Sequence, residues 1–239
     1  MALKRNANFT VARREMTRIL SKKGNHKRAI LSAEKVIINA LTKREKSSAM
    51  ILLAEVLSNA GEPSEAIKYS SSAFELNPNG KIEWYLLHAR LLREMKRDDE
   101  RPKILHTGYQ TTGSIVLRNV WIDSLLECQQ YETALPIIEK ELLENRLKSS
   151  WKIRRAKAYI GTGKINAAMH DLRTCIKELN QRIHPRNPDM TLIADRGLAH
   201  ALLGNMNTAK NDLAHLVQIG ADKCVTASLE KAINSIENQ

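Results

Sequence analysis

One short phrase recurs along the 239-residue chain: a run rich in Leu and Ala, then Gly, then Ala five residues later. The complete copies pair Gly24 with Ala29, Gly61 with Ala66, Gly163 with Ala168 and Gly204 with Ala209. A further copy keeps Ala134 but has Gln129 at the glycine position. The alanines are 34 residues apart (168 − 134) or twice that (134 − 66 = 68). Such a period predicts a fold built from stacked units of two helices each.

The stretch 61–79 predicts the second helix of one unit. Pro63 is compatible with a first helical turn, and Asn77 and Pro78 end the pattern because proline cannot continue a helix. Between them, small and apolar residues recur at helical spacing, at Ala66, Ile67, Ser70, Ala73 and Phe74. One face of this helix is therefore expected to pack against its neighbours.

Two places depart from the period. The third unit would have its alanine at position 100, which is Glu100, so its second helix is the least regular element. The last interval is 41 residues (209 − 168), and the additional residues are expected to form a loop at 180–189 that contains Pro185 and Pro188. Residues 222–238 are expected to form a capping helix over the final apolar face.

Composition favours helices over strands. Hydrophobic residues make up 43% of the chain but aromatic residues only 4%, and there are only 10 Gly and 6 Pro. A core of Leu, Ile and Ala suits helix packing. The predicted fold class is therefore all-α.

The repeated phrase resembles the tetratricopeptide repeat (TPR) family, whose units have large, Leu and small residues on a first helix and spaced alanines and a proline on a second. The copy most similar to this pattern comprises Met50, Leu53, Ala54, Leu57, Gly61, Ala66, Ala73 and Pro78. The resemblance implies a single right-handed α-solenoid over 1–239 with about six helix-turn-helix repeats and a capping helix. The repeats are expected near 10–43, 47–80, 81–114, 115–148, 149–182 and 190–221, and the capping helix at 222–238.

The resemblance also implies a non-catalytic adaptor that binds proteins. In TPR proteins the first helices of successive repeats line a concave groove that holds an extended peptide or a partner helix. Here that register implies the groove residues Arg14, Arg18, Ile51, Glu55, Tyr85, Asn119, Asp123, Ile153 and Lys157. The partner is then a protein segment that meets basic, acidic, aromatic, acidic and basic positions in turn.

Charge is concentrated at the N-terminal end. Residues 1–46 hold 13 Lys and Arg against 3 acids (net +10), whereas the whole chain has a net charge of +12. This end is either a solubilising cap or a docking surface for an acidic protein. The alternative function is a binder of nucleic acid or of an anionic surface. The basic patch comprises Lys4, Arg5, Arg13, Lys22, Lys23, Lys27 and Arg28.

The sequence predicts no enzyme, no cofactor and no metal site. The seven histidines include no HxxxH or HExxH pair, and there is no GxxxxGK phosphate loop. No apolar run is long enough to span a bilayer, and the N-terminus lacks the apolar segment of a secretory signal. The three cysteines are odd in number and widely spaced, which favours a reducing, cytoplasmic location.

Overall fold

The computed structural model describes residues 2–144, 148–184 and 186–237, with side chains from residue 9 onward. Those ranges contain thirteen α-helices, one short 3-10 helix at Asp98–Glu100 and no β-strand. The helices up to the middle of the chain are α1 (Ala2–Lys22), α2 (His26–Ile38), α3 (Lys43–Asn59), α4 (Pro63–Leu76), α5 (Ile82–Glu94), α6 (Arg101–Thr112) and α7 (Ile115–Glu127). The others are α8 (Tyr131–Glu144), α9 (Ser149–Gly161), α10 (Ile165–Arg182), α11 (Met190–Leu202), α12 (Met206–Gln218) and α13 (Lys223–Glu237). The predicted all-α class is confirmed.

The chain divides into two compact units, Met1–Ser124 and Leu125–Gln239, with the division inside α7. The first unit contains α1 to α6 and most of α7, and the second contains α8 to α13. In the second unit, α13 packs on α11 and α12 through its buried Leu229 and Ile233. The repeat boundaries, and one continuous solenoid over the whole chain, stay predictions.

The phrase glycines form the turns between paired helices. Gly24, Gly61, Gly163 and Gly204 all have φ between 74° and 81°, a left-handed conformation that glycine adopts without steric cost. At each turn the following residue donates its N–H to a carbonyl five residues earlier, as from Glu62 to the carbonyl of Leu57 at 2.9 Å. This bond and the left-handed residue define the Schellman motif, which satisfies the last carbonyls of a helix.

Two turns form the same motif without glycine. Lys96 and Gln129 both have φ of 58°, and Arg97 donates to the carbonyl of Leu92 at 2.8 Å as Glu62 does to that of Leu57. The third unit, whose sequence lacks the phrase, therefore still forms the turn, at Lys96. Its turn lies 35 residues after Gly61 (96 − 61), one residue later than the period predicts.

This shift corrects the residue assigned to the close helix contact of the third unit. The fifth residue after each turn is the buried alanine at Ala29, Ala66, Ala134, Ala168 and Ala209. In the third unit that position is Arg101, not Glu100. Arg101 is also buried, and its guanidinium pairs with Asp98 at 2.9 Å, in the 3-10 turn that precedes α6. The longer unit accommodates a side chain much larger than alanine.

The additional residues near position 180 lengthen a helix rather than forming a loop alone. α10 has 18 residues, and it continues through Asn180 to Arg182. Within the insertion the described loop residues are 183, 184 and 186–189; Pro185 lies outside the described residues. The predicted loop at 180–189 is therefore too long at its N-terminal side. The continued helix brings the side-chain oxygen of Asn180 to 3.0 Å from Nη1 of Arg196.

Two ion pairs of the same geometry join helices in the second unit. Arg155 on α9 donates two hydrogen bonds to Asp171 on α10, at 2.7 and 2.8 Å. Arg196 on α11 donates two to Asp212 on α12, at 3.0 and 2.5 Å. Both carboxylates are buried, so each depends on its arginine to replace lost hydration.

His88 on α5 packs against α4 in the first unit. A hydrogen bond of 2.9 Å joins its Nδ1 to Oγ of Ser70, and its ring lies edge-on to Phe74. Burial, together with the nearby charge of Arg97, lowers the pKa of His88 to about 4, and Glu100 opposes the shift. The folded state therefore favours the neutral imidazole.

We expect acid to weaken the fold through His88. Because the folded pKa lies below the unfolded value of about 6.5, this stabilisation is complete above that pH and is lost as pH falls toward 4. Between pH 7 and pH 4, the free energy of unfolding should therefore fall by about 2 kcal/mol less in His88→Gln than in the parent. Urea titrations at each pH measure this difference, with exposed His170→Gln as the control. Parallel pH curves for the His88 variant and the parent would contradict this expectation.

Candidate functional site

An open groove crosses the first helices of the first unit. It has a volume of about 590 Å³, and its lining includes side chains from α1, α3 and α5. Counted back from each turn, the residues at ten and six positions before it are Arg14 and Arg18, Ile51 and Glu55, and Leu86 and Arg90. All six line the groove. The structure thus brings together four of the predicted groove residues.

Tyr85 is a correction. The sequence-based register placed it in the groove, but its side chain is 0% exposed. Its ring packs 4.8 Å from that of Phe74, its hydroxyl donates to the carbonyl of Pro78, and its ring is so near Gly108 that a Cβ there would lie 2.6 Å from it. Because the turn at Lys96 comes one residue later than the period predicts, the residues of α5 that face the groove also lie one position later in the sequence. Leu86 and Arg90 therefore take the groove positions.

The groove has an excess of positive charge. Arg14, Arg18, Lys81 and Arg90 face it against Glu55 and Glu83. Arg14 is held in place, because it donates to Oγ of Ser48 at 2.9 Å and to the carbonyl of Glu45 at 3.3 Å. Burial lowers the pKa of Arg14 below its usual range, and Arg18 adds to this effect. A second positive charge beside a partly desolvated one favours an anionic occupant.

The other predicted groove residues lie on α7 and α9. Asn119 and Asp123 are half-buried on α7, and Lys157 is half-buried on α9. Ile153 is a further correction, because it is buried in the core of the second unit and presents almost no surface to a partner. Lys157 lies near Asp195 of α11, whose pKa burial raises to about 6 although Arg154 and Lys157 oppose that shift.

The basic patch is exposed at the α1–α2 turn. Lys22, Lys23, Lys27 and Arg28 are all exposed there. Arg13 is half-buried, and its guanidinium carbon lies 4.6 Å from the centre of the Phe9 ring. The side chains of the other two predicted members, Lys4 and Arg5, lie outside the described residues.

The described residues were also compared with the requirements of a metal site, a nucleophilic thiol and a membrane-spanning helix. Over 2–144, 148–184 and 186–237, no group of three or more His, Cys, Asp and Glu side chains is placed to hold a metal ion. Burial raises the pKa of Cys175 to about 12, so its thiol is not a nucleophile at neutral pH. None of the described helices combines the length and apolar character that a membrane-spanning segment requires.

Comparisons with known proteins identify the fold. No family model and no curated protein matches the sequence. Among solved structures, a tetratricopeptide repeat protein from Parabacteroides merdae superposes with a TM-score of 0.64 at 15% identity, over 96% of this chain and 87% of that one. The chain has the tetratricopeptide-repeat fold.

Two further structures share the TPR fold with this chain. PilF of Pseudomonas aeruginosa gives a TM-score of 0.55 at 15% identity, over 95% of this chain and 98% of that one. A chain in the structure of Naa15/Naa10 bound to HypK-THB gives 0.52 at 17% identity, over 98% of this chain and 35% of that one. Identities this low extend the likeness to the fold and no further.

Proposed function

We propose that this protein is a non-catalytic adaptor that binds a partner protein segment in the groove across α1, α3 and α5. The basic α1–α2 turn is a second docking surface. The observation that carries the proposal is the groove itself, in which three successive first helices each contribute two side chains at equivalent positions. A surface that repeats along parallel helices matches the repeating side chains of an extended segment.

The charge of the groove indicates the chemistry of the segment. Four basic side chains face it against two acidic ones, and Leu86 supplies apolar surface between them, whereas Ile51 is only 8% exposed. An acidic segment with apolar residues at intervals fits both features, because opposite charges favour encounter and fix register. A role in assembly is supported by the similar chain in the structure of Naa15/Naa10 bound to HypK-THB.

The test is selection from a displayed library of random peptides on the full chain. Binders should be rich in Asp and Glu, and they should lose affinity about tenfold or more for Arg18→Glu/Arg90→Glu, which places two like charges in the groove. Both arginines are about half exposed, so the fold should tolerate the change. A second variant, Lys27→Glu/Arg28→Glu, reverses two exposed charges of the basic turn and so tests the second docking surface separately.

Each outcome has a distinct meaning. Loss of binding in the Arg18/Arg90 variant alone supports the groove, and loss in both variants supports the groove together with the basic turn. Loss in the Lys27/Arg28 variant alone assigns binding to the basic turn and overturns the groove. Binding that neither variant weakens overturns the whole proposal. Steep salt dependence with binding to single-stranded nucleic acid would instead favour the nucleic-acid alternative.

A further inference from the structure

One face of α1 carries large apolar side chains that are exposed to solvent. Phe9, Ala12, Met16 and Ile19 recur at helical spacing on this face, and all four are exposed. Met16 is 60% exposed and Ile19 is 53% exposed, although both lie in the last two turns of a 21-residue helix. We call these four residues the α1 face. A row of this kind on a helix is usually covered by another element.

The turn register shows what covers this face elsewhere in the chain. Met16 lies eight residues before the left-handed turn residue Gly24. The equivalent residue in three later first helices contacts the second helix of the preceding pair: His88 with Ser70 at 2.9 Å, Trp121 stacked on His106 at 4.2 Å, and Arg196 with Asn180 at 3.0 Å. On α1, no preceding helix is present among the described residues.

Burial supports the same register. In α3 the residues equivalent to Met16 and Ile19 are Leu53 and Val56, and each is only 1% exposed. The α1 face therefore has the side chains of a helix-packing surface, and no helix within the described residues covers it. Its natural occupant has the shape of a second helix of a repeat.

Contacts between α4 and α5 give the direction of that occupant. Ser64, Ser70 and Phe74 of α4 meet Met95, His88 and Trp84 respectively, so the second helix runs antiparallel to the first helix that follows it. Met95 immediately precedes the turn residue Lys96, and Lys23 has the same place before Gly24. The first turn of a helix on the α1 face would consequently lie beside Lys23.

The charge beside that position is basic. Lys22, Lys23, Lys27 and Arg28 are exposed around the α1–α2 turn. Acidic side chains suit the first turn of a helix, because they interact favourably with its dipole. Acidic residues at the start of a docked helix would therefore meet both their own helix dipole and the lysines of the turn.

We propose that the α1 face binds an amphipathic α-helix of a partner protein, antiparallel to α1. Its apolar side chains cover Met16 and Ile19, and acidic side chains in its first turn pair with Lys23 and Lys27. This inference rests on the proposed docking role of the basic turn and is independent of the groove. The exposed side of α13 over 223–237 does not match as the occupant from a second copy, because it presents small and polar residues such as Cys224, Ala227 and Lys231.

The test uses two synthetic peptides of identical composition, each about 18 residues long so that a helix can form. Both have leucines on one helical face; one carries Glu in its first turn and Lys in its last, and the other has the reverse. We expect the full chain to bind the first peptide more tightly in fluorescence anisotropy. Met16→Glu should weaken that binding about tenfold or more, because it removes apolar contact area. Leu31→Glu is the matched control, since Leu31 is 58% exposed on α2.

Lys23→Glu tests the direction of the helix. In that variant the preference for the peptide with Glu in its first turn should shrink, because the net charge around the turn falls from +4 to +2. If Met16→Glu binds like the parent while Lys23→Glu does not, the helix proposal is overturned but the basic turn remains a docking surface. Equal losses for Met16→Glu and Leu31→Glu, or no preference between the peptides, would also overturn it.

Two further measurements separate other occupants. If phosphatidylserine-containing vesicles bind the parent through Met16 while neither peptide binds, the face is a membrane surface and the proposal is overturned. Self-association of the parent in sedimentation velocity that Met16→Glu abolishes would identify a second copy as the occupant. A monomeric parent that does not bind these vesicles but does bind the first peptide supports the proposal.

Discussion

Ala168→Trp is expected to lower the apparent Tm of the protein by about 10 °C, whereas Ala167→Trp should leave it almost unchanged. Ala168 is the fifth residue after the Gly163 turn and is buried where α10 approaches its neighbours, whereas Ala167 is exposed beside it. Overpacking a tight core costs about 1–3 kcal/mol for a few added methylenes, and an indole ring adds more. A loss of about 3 kcal/mol corresponds to roughly 10 °C for a chain of this size.

Circular dichroism at increasing temperature measures this difference. Ala66→Trp should behave like Ala168→Trp, because Ala66 has the same place after the Gly61 turn and is also fully buried. The exposed Ala167 variant controls for the general effect of tryptophan on helix stability. If Ala168→Trp and Ala167→Trp melt together, the fifth position after the turn is not a close contact between helices.

Asp171→Ala is expected to reduce the free energy of unfolding by about 3 kcal/mol, because it leaves the Arg155 guanidinium partly buried without its carboxylate. The double substitution Arg155→Met/Asp171→Leu should recover most of that loss, since paired apolar side chains of similar volume need no hydration. Arg155 and Asp171 form two short hydrogen bonds, which raise the pKa of the arginine.

Urea denaturation of the single and double variants measures this coupling. The control is Glu65→Ala, which breaks the exposed pair between Lys68 and Glu65. Exposed pairs contribute about 1 kcal/mol or less, so this change should be small. If Asp171→Ala and Glu65→Ala cost the same, or the double variant is no better than Asp171→Ala, the buried pair is not a coupled unit.

Much of the fold could be predicted because its turns and close contacts require small residues. Gly24 and Gly61 adopt a left-handed backbone that favours glycine, and the buried Ala29 and Ala66 lie where larger side chains would not fit. Such requirements leave a visible period in the sequence. The same reasoning failed at Lys96, which adopts that backbone without glycine, whereas the turn at Gln129 could be placed because Ala134 keeps the period.

The assignment of Tyr85 to the groove was wrong for the same physical reason. A one-residue error at the Lys96 turn moves every side chain of α5 by about 100° around the helix axis, enough to exchange a buried residue for a groove residue. Tyr85 was therefore placed in the groove where Leu86 lies. Ile153 lies ten residues before the Gly163 turn, the position that faces the groove in α1 and α3. That position alone does not show how deeply neighbouring helices bury the side chain.

The sequence contains a periodic signal that could have predicted the two arginine–aspartate pairs. Arg155 precedes Asp171 by 16 residues, and Arg196 precedes Asp212 by the same number, at an interval of 41 (196 − 155) that matches the spacing of the alanines. Charged residues at a fixed spacing across a turn indicate that their helix faces meet. Composition alone could not reveal this, because most charged residues of such a chain remain in water.

The repeated ion pairs also protect the second unit from a hazard that all repeat arrays share. Neighbouring units with similar apolar faces can exchange partners or slip by one helical turn during folding, and either error is tolerated by an apolar interface. Arg155 and Arg196 each need a carboxylate at one place on one helix, and Arg196 also holds Asn180 on the preceding pair. A misaligned assembly would leave these charges desolvated and unpaired. Each pair therefore favours one register between the two helices that it joins, and the bond to Asn180 favours the correct preceding helix.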